Sequence, residues 1–278
     1  MRLYGLIGYP LGHSFSGTYF TEKFAREGIA DARYELLPLE NIGGLRDLLR
    51  QRPELRGLNV TIPHKESVLP LLDALDETAF AVGAVNCIKI TDGRLKGFNT
   101  DVIGFETSFL NSALPAPPDG EEDDQSLALI RKNTGLAPFS PPPGGPGGAS
   151  ALILGTGGAS KAVAFVLKKL NIPFLFVSRA PAAANEITYG DLKNDPYILE
   201  NASFIINTTP LGMSPYPDTC PDLPFERLSS EHLVYDLVYN PAETLLLQRA
   251  KARGCATRNG LEMLYLQAEA AWKIWQQP

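Results

Sequence analysis

Lys65 sits in the stretch GLNVTIPHKESV, residues 57–68, at a place that local structure does not explain. The β-branched run from Asn59 to Ile62 reads as a strand. Pro63 ends it and suits the first turn of a helix. Lys65 then falls in that first turn, where the positive end of the helix dipole makes a cation mildly unfavourable. A solvated surface lysine is the ordinary explanation for one such residue, and the surrounding sequence argues for more. Ser14 and Ser16 come from GYPLGHSFS, just after a strand-like run, and Thr61 shares the lysine's own string. Asn86 lies in GAVNC, and Asn99 and Asp101 in GFNTDVIG. Singly, each has a structural role: Ser16 as a helix cap, Asn86 as a turn residue, Asp101 as the cap of the next helix. Jointly, hydroxyl, amide and charged groups at strand ends describe a pocket for a polyhydroxylated acid.

A second constellation lies further along. ALILGTGGASKA places Gly155, Gly157 and Gly158 after an apolar strand and before a helix. Glycines there let the backbone turn tightly and approach a pyrophosphate, which then rests on the helix N-terminus. Ser160 takes the place of the third glycine of the usual fingerprint and is small enough to keep helix and strand close. An NAD site usually carries a carboxylate at the end of the second strand. Ser178 and Arg179 stand there instead. A guanidinium can grip a 2′-phosphate that a carboxylate would repel, so the spacing predicts NADP.

Alternating elements must position both groups. RLYGLIG, RYELLPL and LRGLNVTI read as strands. SGTYFTEKFAREG, IGGLRDLLRQR and PHKESVLPLLDAL read as helices, the first capped by Ser16 and stopped by Gly28. AVNCIKI and RLKGF flank an Asp92-Gly93 pair that predicts a tight antiparallel hairpin. Residues 114–149 hold eight of the chain's 23 prolines and an acidic run, and read as a long surface insertion. Alternation resumes at Ala151 with strands ALILG, FLFVSR, SFIINTT and HLVYDLV and helices SKAVAFVLKKL and AETLLLQRAKARG. Asn240 and Pro241 read as the N-cap and first residue of the latter, and LEMLYLQAEAAWKIW as a final amphipathic helix. The pattern is α/β: two domains, each with a mainly parallel sheet covered by helices.

The 278 residues suffice for two real cores, and the net charge of -6 argues against nucleic acid or an anionic membrane as the partner. Three scattered cysteines, Cys87, Cys220 and Cys255, fit reduced thiols better than a disulfide framework or a zinc site, and no residue set suggests a metal. MRLYGLIGYP lacks the long apolar core of a signal peptide, so a cytoplasmic protein is expected.

These strings, at these intervals, resemble the shikimate dehydrogenase family, together with NTTPLGM (207–213), DLVYNPAET (236–244) and GLEMLYLQ (260–267). The resemblance implies an N-terminal three-layer α/β substrate domain, residues 1–106 plus 258–278. It implies a Rossmann domain for NADP at 107–257, carrying the insertion. It implies reversible reduction of 3-dehydroshikimate to shikimate by NADPH, in a monomer or homodimer. Ser14 and Ser16 would bind the substrate carboxylate, and Thr61, Asn86 and Gln267 its hydroxyls. Lys65 and Asp101 would form the catalytic pair, and Tyr239 would line the cleft near the substrate. Gly155, Gly157, Gly158, Ala159, Ser178, Arg179, Thr208, Met213 and Gly260 would hold the cofactor, the last two of them beside the nicotinamide.

The sequence departs from the family pattern at Gly17, usually proline, at Phe20-Thr21, usually His-Asn, and at Ser178-Arg179-Ala180, usually Asn-Arg-Thr. None of these removes a catalytic group. Ketone reduction puts negative charge on the oxygen as hydride arrives, and a lysine within hydrogen-bond reach can meet it with a proton or a cation. Lys65 is therefore the expected acid/base, with Asp101 orienting it, and none of His13, His64 and His232 is needed. Competing readings are an NAD-preferring quinate/shikimate dehydrogenase, a folate-type methylene dehydrogenase and a catalytically silent metabolite sensor.

Overall fold

The computed structural model describes residues 1–11, 15–113 and 151–278. Ser14, His13 and the insertion expected at 114–149 lie outside the described residues. The chain divides into two compact units, one of Met1–Ile103 with Gln267–Pro278, the other of Gly104–Leu266.

The first unit opens with β1 (Arg2–Gly8), α1 (Phe15–Arg26) and β2 (Ala32–Pro38). A 3-10 turn (Ile42–Gly44) leads into α2 (Leu45–Gln51), followed by β3 (Leu55–Val60) and α3 (His64–Ser67). Then come β4 (Ala74–Leu75), α4 (Glu77–Val82), β5 (Cys87–Thr91) and β6 (Arg94–Phe98). The sheet order is β2-β1-β3-β5-β6-β4. β2, β1 and β3 run parallel, while β3–β5 and β5–β6 are antiparallel. The β5–β6 turn is made by Asp92 and Gly93, at φ 50° and 75°, the pair of positive angles a tight hairpin needs.

Side chains alternate across β1 and so build two cores. Leu3 and Ile7 face one apolar layer with Leu45, Leu58, Val68 and Ala79. Tyr4 and Leu6 face the other, with Phe20, Phe24, Tyr34, Trp272 and Trp275. Helices thus cover both sheet faces, giving three layers.

The chain enters the second unit within α5 (Thr100–Ala113) and continues with β7 (Ala151–Leu154), α6 (Gly158–Lys169), β8 (Phe174–Ser178) and β9 (Glu186–Thr188). α7 (Tyr189–Asn194), α8 (Pro196–Glu200), β10 (Phe204–Asn207), β11 (Leu233–Asp236), α9 (Leu245–Lys251), β12 (Ala256–Asn259) and α10 (Leu261–Gln276) follow. Its six strands are all parallel in the order β12-β11-β10-β7-β8-β9. That is the doubly wound Rossmann arrangement, with the order reversing between β7 and β10. The central strands β7, β10 and β11 are mostly apolar and buried along their whole length, as helices on both faces require.

Three local expectations are corrected. Ser16 does not cap α1; the helix starts at Phe15, and Ser16 lies buried within its first turn. The helix expected from Pro63 to Leu75 is only the single turn α3, then a 3-10 turn over Leu69–Leu71 and the short strand β4. Pro70 supplies no N–H to continue α-helical bonding. Asn240 and Pro241 do not start α9: its N-cap is Thr244, whose hydroxyl accepts from Leu247 N. The short strands β9 and β12, with α7 and α8, carry too few periodic residues to stand out in the sequence.

Candidate active site

Lys65 occupies the second position of α3, a helix too short for its dipole to weigh much against a cation. Its carbonyl accepts from Val85 N at 2.8 Å, which pins the turn against the segment leading to Asn86. Its Nζ lies 2.6 Å from Asp101 Oδ2, with the lysine side chain 17% and the aspartate 7% exposed. Asp101 stands in the first turn of α5, where an acid is favoured. It is not needed as the cap, because Asn99 Oδ1 accepts from Val102 N and Asn99 Nδ2 bonds the Ala84 carbonyl.

Asn86 completes the arrangement. The Thr100 backbone N–H can only donate, and it reaches Asn86 Oδ1 at 2.6 Å, so the amide's orientation is fixed. Asn86 Nδ2 then donates to Asp101 Oδ1 at 2.9 Å and to Thr100 Oγ1 at 2.9 Å. Both carboxylate oxygens are thereby held, one by Asn86 and one by Lys65, while Lys65 keeps further N–H donors for another group. Gln267 Oε1 lies 3.4 Å from Asn86 Nδ2 and from Thr100 Oγ1, bringing the final helix to the same spot. That helix is anchored by Trp275, whose indole Nε1 donates to the Ile88 carbonyl at 3.0 Å and whose ring fills the space beside Gly57.

Ser16 is linked to this group through two buried residues. Its hydroxyl bonds that of Tyr34, which burial pushes well above its ordinary pKa and the serine opposes. Tyr34 donates to Asn59 Oδ1 at 2.8 Å, and Asn59 Nδ2 reaches the Asn86 carbonyl. Thr61 follows β3 half-buried, its N–H on the Ile7 carbonyl and its methyl filling the space where Gly8 has no side chain. Lys65, Asn86, Asp101 and Gln267 are thus in direct contact, with Ser16 and Thr61 joined through β3. Thr100, Asn59 and Tyr34 were not singled out from the sequence. Thr100 sits inside the quoted GFNTDVIG string, whereas Tyr34 could be placed only with the β1–β2 register in hand. His64 bonds the Leu39 carbonyl and His232 the Leu199 carbonyl, both structural partners.

In the second unit, Gly155 adopts φ +104°, and a side chain there would meet Thr208 and Thr209 at 3.0 Å. Gly157, the N-cap of α6, faces open space; Gly158 and Ala159 begin the helix, whose first turn holds no acid. Ser160 is buried, with its hydroxyl on the Gly157 carbonyl at 2.6 Å, which accounts for its standing where the fingerprint has glycine. A glycine turn, an open N-cap and an acid-free helix start fit a dinucleotide pyrophosphate. Ser178 Oγ accepts from Ala180 N, and Arg179 is exposed, with no ion pair among the described residues. Thr208 donates from Oγ1 to the Leu154 carbonyl at 2.7 Å, tying β10's loop to the end of β7. Met213 is exposed, Tyr239 half-buried just after β11. Gly260 must be glycine for packing alone, since a Cβ would lie 2.0 Å from the Leu237 carbonyl oxygen.

No helix among the described residues is long and apolar enough to cross a membrane, and among them no three or more His, Cys, Asp and Glu side chains cluster so as to hold a metal ion.

Residues 6–88 match the family model described as shikimate dehydrogenase substrate binding domain. The NADP(+) shikimate dehydrogenase of Halothermothrix orenii is 36% identical over 298 residues, covering 99% of this chain and 90% of that protein. The corresponding Methanosphaera stadtmanae enzyme is 33% identical, covering 98% of this chain and 90% of its own. The crystal structure of the Thermus thermophilus shikimate 5-dehydrogenase, in complex with NADP(H) and shikimate, superposes with a TM-score of 0.76 at 29% identity, covering 99% of this chain and 94% of that one. The chain belongs to the shikimate dehydrogenase family.

Proposed function

We propose that this protein catalyses the reversible reduction of 3-dehydroshikimate to shikimate with NADPH, a step of aromatic amino-acid biosynthesis. The observation that carries the reading is the buried network in which Lys65 and Asn86 hold the two oxygens of Asp101, with Gln267 alongside. NADPH, when bound, supplies the hydride. Lys65 gives a proton from Nζ to the ketone oxygen as charge develops there, and takes the hydroxyl proton back in the oxidative direction. Asp101 keeps Nζ aimed and balances its charge. Ser14 and Ser16 bind the substrate carboxylate, and Thr61, Asn86, Tyr239 and Gln267 the hydroxyl-bearing face.

Residues 1–106 and 258–278 form the substrate domain and 107–257 the cofactor domain. There Gly155, Gly157, Gly158 and Ala159 cradle the pyrophosphate, while Ser178 and Arg179 take the 2′-phosphate. Thr208, Met213 and Gly260 lie along the nicotinamide end. The enzyme works in the cytoplasm, as a monomer or homodimer. The test is consumption of NADPH on addition of 3-dehydroshikimate, with NADH, and quinate in the reverse direction, as comparisons. Consumption of NADPH in clear preference to NADH is expected. Equal rates with the two cofactors would remove the assignment of Arg179, and a preference for quinate would remove the substrate.

A further inference from the structure

Three hydrogen-bond donors converge on one buried carboxylate in the second unit. Asp236, the last residue of β11, accepts from Asn207 Nδ2 at 2.8 Å and from Val238 N at 3.0 Å on Oδ1, and from Thr244 Oγ1 at 2.6 Å on Oδ2. Asn207, Asp236 and Thr244 are all fully buried. No cation pairs with Asp236 among the described residues. An unpaired buried carboxylate is costly, and an amide of the same size would bring N–H donors to a place that already has three. The ionised carboxylate accepts from all three at once.

The partners of Asp236 lead outward into two loops. Asn207 Oδ1 accepts from Thr209 N at 3.0 Å and from Thr209 Oγ1 at 2.7 Å, and the same hydroxyl accepts from Leu211 N. This shapes the loop after β10, which carries Thr208 and Met213. Thr244 packs where Gly212, at φ +87°, has no side chain, bracing that loop from the other side. Val238 lies in the loop after β11, which carries Tyr239, and its carbonyl accepts from Gly260 N at 3.2 Å. Thr208, Met213 and Gly260, the residues assigned above to the nicotinamide end, are therefore reached through one side chain.

We infer that Asp236 is a positioning residue for the dinucleotide, holding the loops after β10 and β11 in one arrangement through Asn207, Val238 and Thr244. It does not touch the reacting atoms. The inference rests on the reading of this unit as the NADP-binding one, and the test separates the two.

Hydrogen exchange over residues 208–213 and 237–241, together with NADPH fluorescence titration, reads the effect in Asp236→Ala and Asp236→Asn. In the alanine variant both segments are expected to exchange faster together, with NADPH affinity falling about tenfold or more, the scale of lost hydrogen bonds to a charged group. The asparagine variant keeps an oxygen for Asn207 and Val238, so it should recover much of the affinity. Unchanged exchange in either segment, or unchanged NADPH affinity, overturns the inference. Should Asp236→Ala fail to fold, Thr209→Val removes one hydroxyl from the same chain of bonds. Faster exchange at 208–213 with weaker NADPH binding then supports the inference, and no change overturns it. If the wild-type protein binds no NADPH, the functional reading falls, while the exchange comparison still decides the role of Asp236.

Discussion

Lys65 and Asp101 stand 36 positions apart in the sequence and 2.6 Å apart at Nζ and Oδ2. The short strand β4 and the β5–β6 hairpin separate them in the chain, and the antiparallel β5 brings them together. β5 pairs with β3, which leads into Lys65, and with β6, which leads into Asp101. Asn86, immediately before β5, lies between the two and bonds the aspartate.

Asn86→Ala should therefore damage stability and chemistry together. It leaves the Thr100 N–H without its acceptor in a buried place, at a cost of about 1–3 kcal/mol. It also frees one oxygen of Asp101, so kcat should fall along with the melting temperature. Thermal melts and steady-state kinetics on one preparation check both, and an unchanged kcat would mean that Asp101 needs no second donor.

Gly57→Ala tests the anchoring of the final helix. A methyl there would lie 2.3 Å from the Trp275 indole nitrogen, and the ring must shift away from its bond to Ile88. Overpacking of this kind costs about 1–3 kcal/mol. Because Gln267 rides on the same helix, the KM for shikimate should rise while that for NADP stays level. A loss of stability without a change in KM would separate Trp275 from substrate binding.

Much of this was legible in the sequence because it is written in local chemistry. The strand–glycine–helix string at Ala151 and the Asp-Gly hairpin need only nearby residues to be read, and both stand as expected. Lys65 was visible as an unexplained cation in its local setting. The caps were harder, because Ser16, Asn99, Asp101 and Thr244 are all good capping types, and the choice among them is made by contacts from distant segments. Thr100 and Tyr34 stayed hidden for the same reason: a buried threonine and a buried tyrosine look like core until the register shows which polar atoms face them.

Asp236 gives a pH signature. Burial, opposed by its hydrogen bonds from Thr244, Val238 and Asn207, pushes its pKa from 3.8 up to about 6. Cys220 is the titratable neighbour, itself raised by burial to about 11 and so neutral throughout this range. Since the folded state holds this proton more tightly than the unfolded one, the stabilising contribution is full below about pH 4 and is lost as pH rises through about 6. The shift corresponds to at most about 3 kcal/mol. Wild-type protein should gain stability relative to Asp236→Asn between about pH 7 and pH 5 in denaturant titrations. A difference between the two that stays flat across that interval would contradict the assignment.

Arg179 should set cofactor choice. Loss of a charge-assisted bond to a 2′-phosphate weakens binding by about 1.5–3 kcal/mol, so Arg179→Gln should raise the KM for NADP about 10- to 100-fold. The KM for NAD should hardly move. Parallel changes with both cofactors would show that the guanidinium does not read the phosphate.

The most direct measurement is the appearance of NADPH absorbance from shikimate and NADP, with wild-type protein and Lys65→Met side by side and shikimate affinity measured in both. Wild-type protein should turn over, and the variant should bind shikimate normally yet lose about 10²- to 10⁴-fold in kcat, the range of general acid–base catalysis. A silent wild-type protein, or a variant that keeps near-normal turnover, would contradict the assignment of Lys65 and Asp101 as the group that moves the proton.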